Sequence, residues 1–173
     1  IPIFLVFKTI FIPGPAVWGD APYFYSEGLK ELLNLPVSWT SRGHNFGGIN
    51  EFLWIYPLMF FYGAIHYLLN LDNDAIIRIV FYIPSILLSL TGPILFARYL
   101  GYSRLVQFFA SLFYTLNTYF ILLIDGGQVG IALAYGIFPL TLLFLHKLLA
   151  KPNFNTFIFA LTSFLVLWIV DIR

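Results

Sequence analysis

The sequence predicts an all-α membrane protein, a polytopic helix bundle with a large external first loop that carries juxtamembrane helices. Of the 173 residues, 60% are hydrophobic and only 10% are charged, whereas roughly 25% are charged in an average soluble domain. Four apolar runs, 75–97, 105–124, 129–146 and 154–170, approach the ~20 residues that a helix needs to cross a bilayer. They are the predicted transmembrane helices.

Composition also excludes several classes of function. The formal net charge of +1 provides no extended basic surface, so nucleic acid is not an expected partner. The absence of cysteine removes disulfides, thiolate nucleophiles and thiolate metal sites. Because the chain begins and ends beside apolar runs, we expect residues 1–173 to be a single transmembrane module of a longer protein.

Residues 13–51 are predicted to form the external loop. Pro13 and Pro15 forbid a continuous helix at its start, so the backbone must leave the bilayer core. Leucines between Leu29 and Leu33 recur at helical spacing among charged residues. This pattern predicts an amphipathic helix that lies on the membrane with its apolar side down.

Asp20 lies at the head of this loop, among aromatic residues. The rings of Trp18, Tyr23 and Phe24 favour the headgroup region of a bilayer, so the carboxylate is expected beside lipid headgroups. Asp20 is therefore the leading candidate for a catalytic residue. An ordinary polar loop between two spans is the alternative.

The apolar stretch 52–71 is interrupted by Pro57, His66 and Asn70. These interruptions favour a helix that lies in the interface or re-enters, and a full crossing is the alternative. His66 is expected to be an interior histidine with a hydrogen-bond partner rather than a ligand. Asp72, Asn73 and Asp74 are candidate N-caps for the next helix.

Basic residues predict which ends of the spans face the cytoplasm. Arg98 and Arg104 flank one connection, and Lys147 and Lys151 flank another two spans later, so the positive-inside rule places both connections inside. Asp125 is then external. If 52–71 does not cross, Asp20 shares the outer face with Asp125, and the protein is a multi-pass cell-membrane protein with its catalytic loop on the extracytoplasmic side.

Asp125 is the second candidate carboxylate. The glycines that follow it allow a backbone to approach a ligand closely. Together, Asp20 and Asp125 are predicted to share a hard divalent cation, Mg²⁺ or Mn²⁺, completed by water and phosphate oxygens. For Asp125, a solvated turn residue is the alternative.

Three further loop residues, Arg42, His44 and Glu51, are predicted to bind substrate. The planar fork of Arg42 matches a phosphate group, although an exposed loop cation near lipid phosphates is the alternative. For Glu51, the alternative is a residue at the start of a helix, where the helix dipole favours a negative charge. Arg78, near the end of a predicted span, is expected to snorkel towards the interface.

The order of these features resembles the amino-terminal part of the GT-C class of membrane glycosyltransferases. The resemblance is carried by Gly19-Asp20-Ala21-Pro22-Tyr23-Phe24 at the head of an external loop, by Tyr56-Pro57-Leu58, and by two spans that are joined through Arg98 and Arg104 and return to Asp125. Ala21 and the Gly126-Gly127-Gln128 run depart from the oligosaccharyltransferase pattern. The chain looks more like the broader group of uncharacterised archaeal and bacterial GT-C-like membrane proteins.

This resemblance implies transfer of a sugar from a polyprenyl-phosphate-linked donor to an acceptor glycan or protein on the outer face of the membrane. Asp20 would be a general base towards the acceptor or a ligand of the catalytic metal. Many such enzymes carry a carboxy-terminal soluble domain, so residues 1–173 alone are not expected to be active. A transporter or channel subunit and a non-catalytic membrane assembly subunit are the alternatives.

Overall fold

The computed structural model describes residues 2–12, 14–16, 19, 26–40, 48–49, 53 and 56–170. Its helices are α1 (Pro2–Val6), α2 (Lys8–Phe11), α3 (Ser26–Glu31), α4 (Tyr56–Leu69), α5 (Asn73–Ile77), α6 (Ile83–Tyr99), α7 (Arg104–Thr115), α8 (Thr118–Asp125), α9 (Val129–Ala150) and α10 (Phe154–Val170). Two short antiparallel strands, β1 (Trp39–Thr40) and β2 (Gly48–Ile49), pair within the first loop. The described part of the chain is therefore helical apart from this pair, in agreement with the predicted class.

Among the described residues, two helices are long and apolar enough to cross a membrane. A π-helical turn, Arg78–Tyr82, joins α5 to α6, and the continuous helix Asn73–Tyr99 has 27 residues. Helix α9 has 22 residues. At 1.5 Å per residue these helices measure about 40 and 33 Å, and a bilayer core is about 30 Å thick. The fold is thus compatible with a membrane protein.

The predicted helix 105–124 is two helices in the structure. Helices α7 and α8 are bent by 41° at their junction, and the pair would be a third span if it is counted as one. Asn117 caps α8, because its Oδ1 accepts from the Phe120 N–H at 2.9 Å. Its Nδ2 donates to the Tyr135 hydroxyl at 2.7 Å. A side chain therefore satisfies a backbone donor that the break would otherwise leave unpaired.

Helix α9 packs between α6 and α10. On the α6 side, an ideal Cβ built on Gly136 would lie 2.8 Å from the Ser85 carbonyl oxygen, so these backbones approach more closely than any larger residue allows. Small residues at such contacts are how membrane helices associate. On the α10 side, the rings of Phe144 and Phe159 stack with centroids 5.3 Å apart.

The outer faces of the bundle expose large apolar side chains. Examples are Leu87, Phe113, Leu122, Phe154 and Phe164. Soluble monomers rarely expose contiguous apolar surface on this scale. These faces suit contact with acyl chains.

The loop helix α3 falls within the predicted amphipathic segment and packs on α4. Leu29 is fully buried there, and the Tyr56 hydroxyl donates to the Asn34 carbonyl at 2.9 Å. With 14 residues, α4 as described is about 21 Å long, which is short for a crossing. That residues 52–71 lie in the interface or re-enter stays a prediction.

Replacing Gly136 by Ala should lower the thermal unfolding midpoint of the detergent-solubilised protein. The added Cβ would be forced against the Ser85 backbone, and overpacking of this kind typically costs about 1–3 kcal/mol. The matched control is Gly28→Ala, since a Cβ there meets nothing within 4 Å. Far-UV circular dichroism during heating gives both midpoints, and equal midpoints would contradict the close approach of α6 and α9.

Candidate functional site

The first loop touches the turn that follows α8. Gly19 has φ +57°, and a Cβ at this position would overlap the Gly126 carbonyl oxygen and lie 2.5 Å from its carbon. Both the left-handed backbone and the missing side chain are therefore required at residue 19. Nearby, the buried ring of Phe7 packs edge-on against Phe120 of α8, with centroids 5.9 Å apart. The start of the chain thus contacts α8 through this ring pair.

Two side chains at the start of the long helix bind the backbone of the same loop. Asp74 accepts from the Ala16 N–H through Oδ1 at 2.9 Å. Arg78, one turn later, donates through Nη2 to the carbonyls of Ile12 at 3.2 Å and Gly14 at 2.5 Å. Arg78 therefore binds backbone carbonyls, where the sequence predicted a side chain that only reaches for the interface.

Two polar side chains beside the connection between α4 and α5, both singled out by sequence analysis, have hydrogen-bond partners. His66 contacts the Leu71 carbonyl through Nδ1 at 2.7 Å, which confirms the predicted hydrogen-bond partner, although the side chain is only half-buried. Asp72 accepts from the Ala75 N–H at 2.7 Å, so Asp72 is the N-cap among the three predicted candidates. Asn70 makes the turn with φ 51°, a conformation that Asn tolerates better than most residues.

Tyr62 joins α4 to the start of the long helix. Its buried hydroxyl lies 3.2 Å from the Asn73 carbonyl and 3.1 Å from Asn73 Oδ1. Burial, followed by the negative charges of Asp74 and Asp72, raises the pKa of Tyr62. The hydroxyl therefore stays protonated and remains a hydrogen-bond donor through the physiological pH range.

Asp125 is the exposed last residue of α8. A carboxylate at a helix carboxy terminus opposes the helix dipole, so helix stability does not account for it. At the end of this helix, the Gly126 N–H donates to the Leu122 carbonyl at 2.8 Å. Asp125 is thus a surface carboxylate next to the residue that touches Gly19.

The other predicted site residues, Asp20, Arg42, His44 and Glu51, lie outside the described residues, and their roles stay predictions. Within the described ranges, no group of three His, Asp or Glu side chains comes together to hold a metal ion. Asp125 is therefore the one member of the predicted metal pair whose surroundings are defined.

Sequence reasoning missed the roles of Asp74 and Arg78. The available signal was their spacing: an acid and a base four residues apart share one face of a helix, here at the start of an apolar run. That spacing reveals a polar face but does not reveal what it binds. The partners lie in the first loop, about sixty residues earlier in the chain.

Helix length, composition and these contacts define a helical protein compatible with a bilayer, with its first loop held against the turn after α8. No protein-family model, curated protein or solved structure matches this chain. Its function is therefore argued from its own residues.

Replacing Asp74 by Ala should release the loop around Ala16. The bond lost is a hydrogen bond to a charged acceptor, typically worth about 1.5 kcal/mol or more, so amide exchange at Ala16 should accelerate about tenfold. Hydrogen–deuterium exchange measures this directly. Asp72→Ala removes only the cap of α5 and is the control; similar acceleration in both variants would contradict a specific role of Asp74.

Replacing Gly19 by Ala should destabilise the protein more than the same change at Gly101. Both glycines have positive φ, but a Cβ on Gly101 meets nothing within 4 Å. Backbone strain of roughly 1–2 kcal/mol is common to both variants, so the difference between their unfolding midpoints isolates the contact with Gly126. No difference would mean that the loop does not pack there.

Proposed function

We propose that this chain is the amino-terminal membrane module of a GT-C-type glycosyltransferase. It would transfer a sugar from a polyprenyl-phosphate carrier to an acceptor glycan or protein outside the cytoplasm. The supporting observation is the backbone contact between Gly19 and Gly126. It joins the sequence neighbours of the two predicted acidic residues, although most of the chain separates them.

Asp20 and Asp125 are the sequence neighbours of the two glycines in this contact, and consecutive Cα atoms are about 3.8 Å apart. Asp20 lies outside the described residues. We propose that the two carboxylates belong to one small region. The anchoring of Ile12, Gly14 and Ala16 by the long helix supports a loop with a defined path to that region.

The proposed reaction is substitution at the anomeric carbon of the donor sugar. An acceptor oxygen or nitrogen forms a bond to this carbon, and the bond from the carbon to the phosphate oxygen of the carrier breaks. Asp20 takes the proton of the acceptor group, and the carrier phosphate leaves with the bonding electrons. A base in this role must lie within hydrogen-bond reach of the acceptor proton.

Asp20 and Asp125 would hold the Mg²⁺ or Mn²⁺ ion of such a site. Two carboxylates suit Mg²⁺, which usually keeps several waters and binds substrate phosphates alongside one or two protein carboxylates. The exposed position of Asp125 leaves room for those additional ligands. When bound, the ion would neutralise charge on the departing phosphate.

The same loop would also recognise the donor sugar phosphate, through Arg42, His44 and Glu51. A guanidinium is a rigid fork that can bind two phosphate oxygens at once, and the imidazole of His44 would add a hydrogen-bond donor. Glu51 would orient a hydroxyl of the sugar. The positive-inside rule assigns the Arg98–Arg104 connection to the cytoplasm, and Asp125 follows the next apolar segment, so the site would face outwards.

Replacing Asp20 by Asn in the full-length protein should reduce sugar transfer by at least about a hundredfold, the lower range for loss of a general base. The assay uses membranes supplied with a polyprenyl-phosphate-linked sugar and measures labelled acceptor. Asp72→Asn is the control, because it makes the same chemical change at a helix cap and should leave transfer unchanged.

Two outcomes bear on this prediction. Full transfer by the Asp20→Asn variant, at normal expression and thermal stability, would rule out the proposed role of Asp20. Asp125→Asn separates the two roles of the acidic pair: if the pair shares a cation, this variant should need more Mg²⁺ for half-maximal transfer.

The bend between α7 and α8 favours transport as a second candidate, because transporters build binding sites at discontinuous helices. At this bend, however, Asn117, Tyr114 and Tyr135 hydrogen-bond with one another. Neither 105–124 nor 129–146 contains Asp, Glu, Lys or Arg, the ionisable groups typical of coupled transport. Flux of a sugar phosphate into proteoliposomes, without transfer, would favour the transporter.

A further inference from the structure

An apolar groove opens on the bundle surface between α6, α7 and α9. It encloses about 250 Å³ and is lined by aliphatic and aromatic residues, among them Pro93, Ala97, Leu100, Val106, Ala110 and Leu142. The groove reaches the connection between α6 and α7. It therefore lies towards the end of the bundle away from Gly19, Asp74 and Asp125.

Polar and basic side chains meet at the same end of the bundle, where α6 and α9 end. The Tyr99 hydroxyl lies 3.3 Å from His146 Nδ1, and the two rings meet edge-on with centroids 5.3 Å apart. The Lys147 ammonium lies 5.5 Å from the centroid of the Tyr99 ring and 5.8 Å from that of Phe144. Contacts with aromatic faces favour a cation at this position. His146 comes one helical turn after Leu142, which lines the groove.

The charge at this end is entirely positive within the long apolar part of the sequence. Arg98, Arg104, Lys147 and Lys151 belong to the two connections there, and between residues 75 and 170 Asp125 is the only acid. Asp125 lies at the other end of the bundle. The groove thus lies towards the end of the bundle where the sequence between residues 75 and 170 supplies four cations and no acid.

We infer that this groove binds one anionic phospholipid of the bilayer. One acyl chain lies along the groove, and the headgroup phosphate lies beside Lys147, with the Tyr99 hydroxyl and His146 able to hydrogen-bond it. Basic pockets between membrane helices bind anionic headgroups in this way. A zwitterionic lipid has the same acyl chain and phosphate. Its headgroup also carries a cation, which the positive charges of Arg98, Arg104, Lys147 and Lys151 would repel.

This site is separate from the proposed sugar-transfer site. The long helix Asn73–Tyr99 begins beside the Asp74 anchor and ends at the Tyr99 cluster, about 40 Å away at 1.5 Å per residue. A test of lipid binding at this end is therefore independent of a test of glycosyl transfer at the other end.

Native mass spectrometry of the detergent-solubilised protein tests the inference. The protein is titrated with phosphatidylglycerol and, separately, with phosphatidylcholine that carries the same acyl chains. We expect one phosphatidylglycerol to bind about tenfold more tightly than phosphatidylcholine. Lys147→Gln should weaken phosphatidylglycerol binding about fivefold, the factor expected for one lysine near an anionic headgroup, and Lys147→Arg should retain it.

Two further variants separate a built site from general attraction. Lys30→Gln removes an exposed lysine of α3 and should leave binding unchanged. Val106→Trp fills the groove from an exposed position and should weaken binding of both lipids. Equal affinities for the two lipids, equal effects of the two lysine changes, or full binding by a folded Val106→Trp variant would each overturn the proposal.

Discussion

One helical turn, from Asp74 to Arg78, fixes the path of the first loop. Backbone that leaves a helix at a membrane surface carries N–H and C=O groups that need partners. Asp74 takes the N–H of Ala16, and Arg78 supplies donors to the carbonyls of Ile12 and Gly14. Because both side chains belong to a helix of the bundle core, the loop is held against the bundle. The backbone shortly before Gly19 is thus held by two residues outside the proposed site.

The turn from Asp74 to Arg78 can hold the loop because the long helix to which it belongs is itself closely packed. The long helix packs on α9 at a distance set by Gly136, where the Ser85 carbonyl occupies the space of a side chain. Lipid supplies no hydrophobic drive for helices to associate, so close backbone approach and van der Waals contact must do so. The same packing gives α9 a defined position relative to Asp74. Asp125 lies just before α9. The packing of α9 on the long helix therefore also positions the turn after α8 relative to the first loop.

Features governed by local signals were predictable from the sequence. Apolar runs gave the long helices, the Asp72 cap preceded its helix, and His66 found a neighbouring carbonyl. The break at Asn117 was not predictable, since no Gly or Pro interrupts that run and the cap is supported by Tyr135 from another helix. The partners of Arg78 were equally hidden, because they lie in a distant loop. For the candidate site, the sequence singled out Asp125 but not the contact that places the loop beside it, and the roles of Asp20, Arg42, His44 and Glu51 stay predictions.

The two ends of the bundle set different requirements for a phosphate ligand. In the proposed transfer site, a phosphate near the carboxylates of Asp20 and Asp125 would meet repulsion, so binding there would require an added positive charge, either a divalent cation or the guanidinium of Arg42. Arg78 is not available for this purpose because its Nη2 is engaged by loop carbonyls. At the other end, Lys147 lies beside the rings of Tyr99 and Phe144 and is itself a cation, so the proposed phosphate contact needs no added ion. Phosphate binding at the first end should therefore depend on a divalent cation or on Arg42, whereas binding at the second should depend on ionic strength, since salt screens exposed charges.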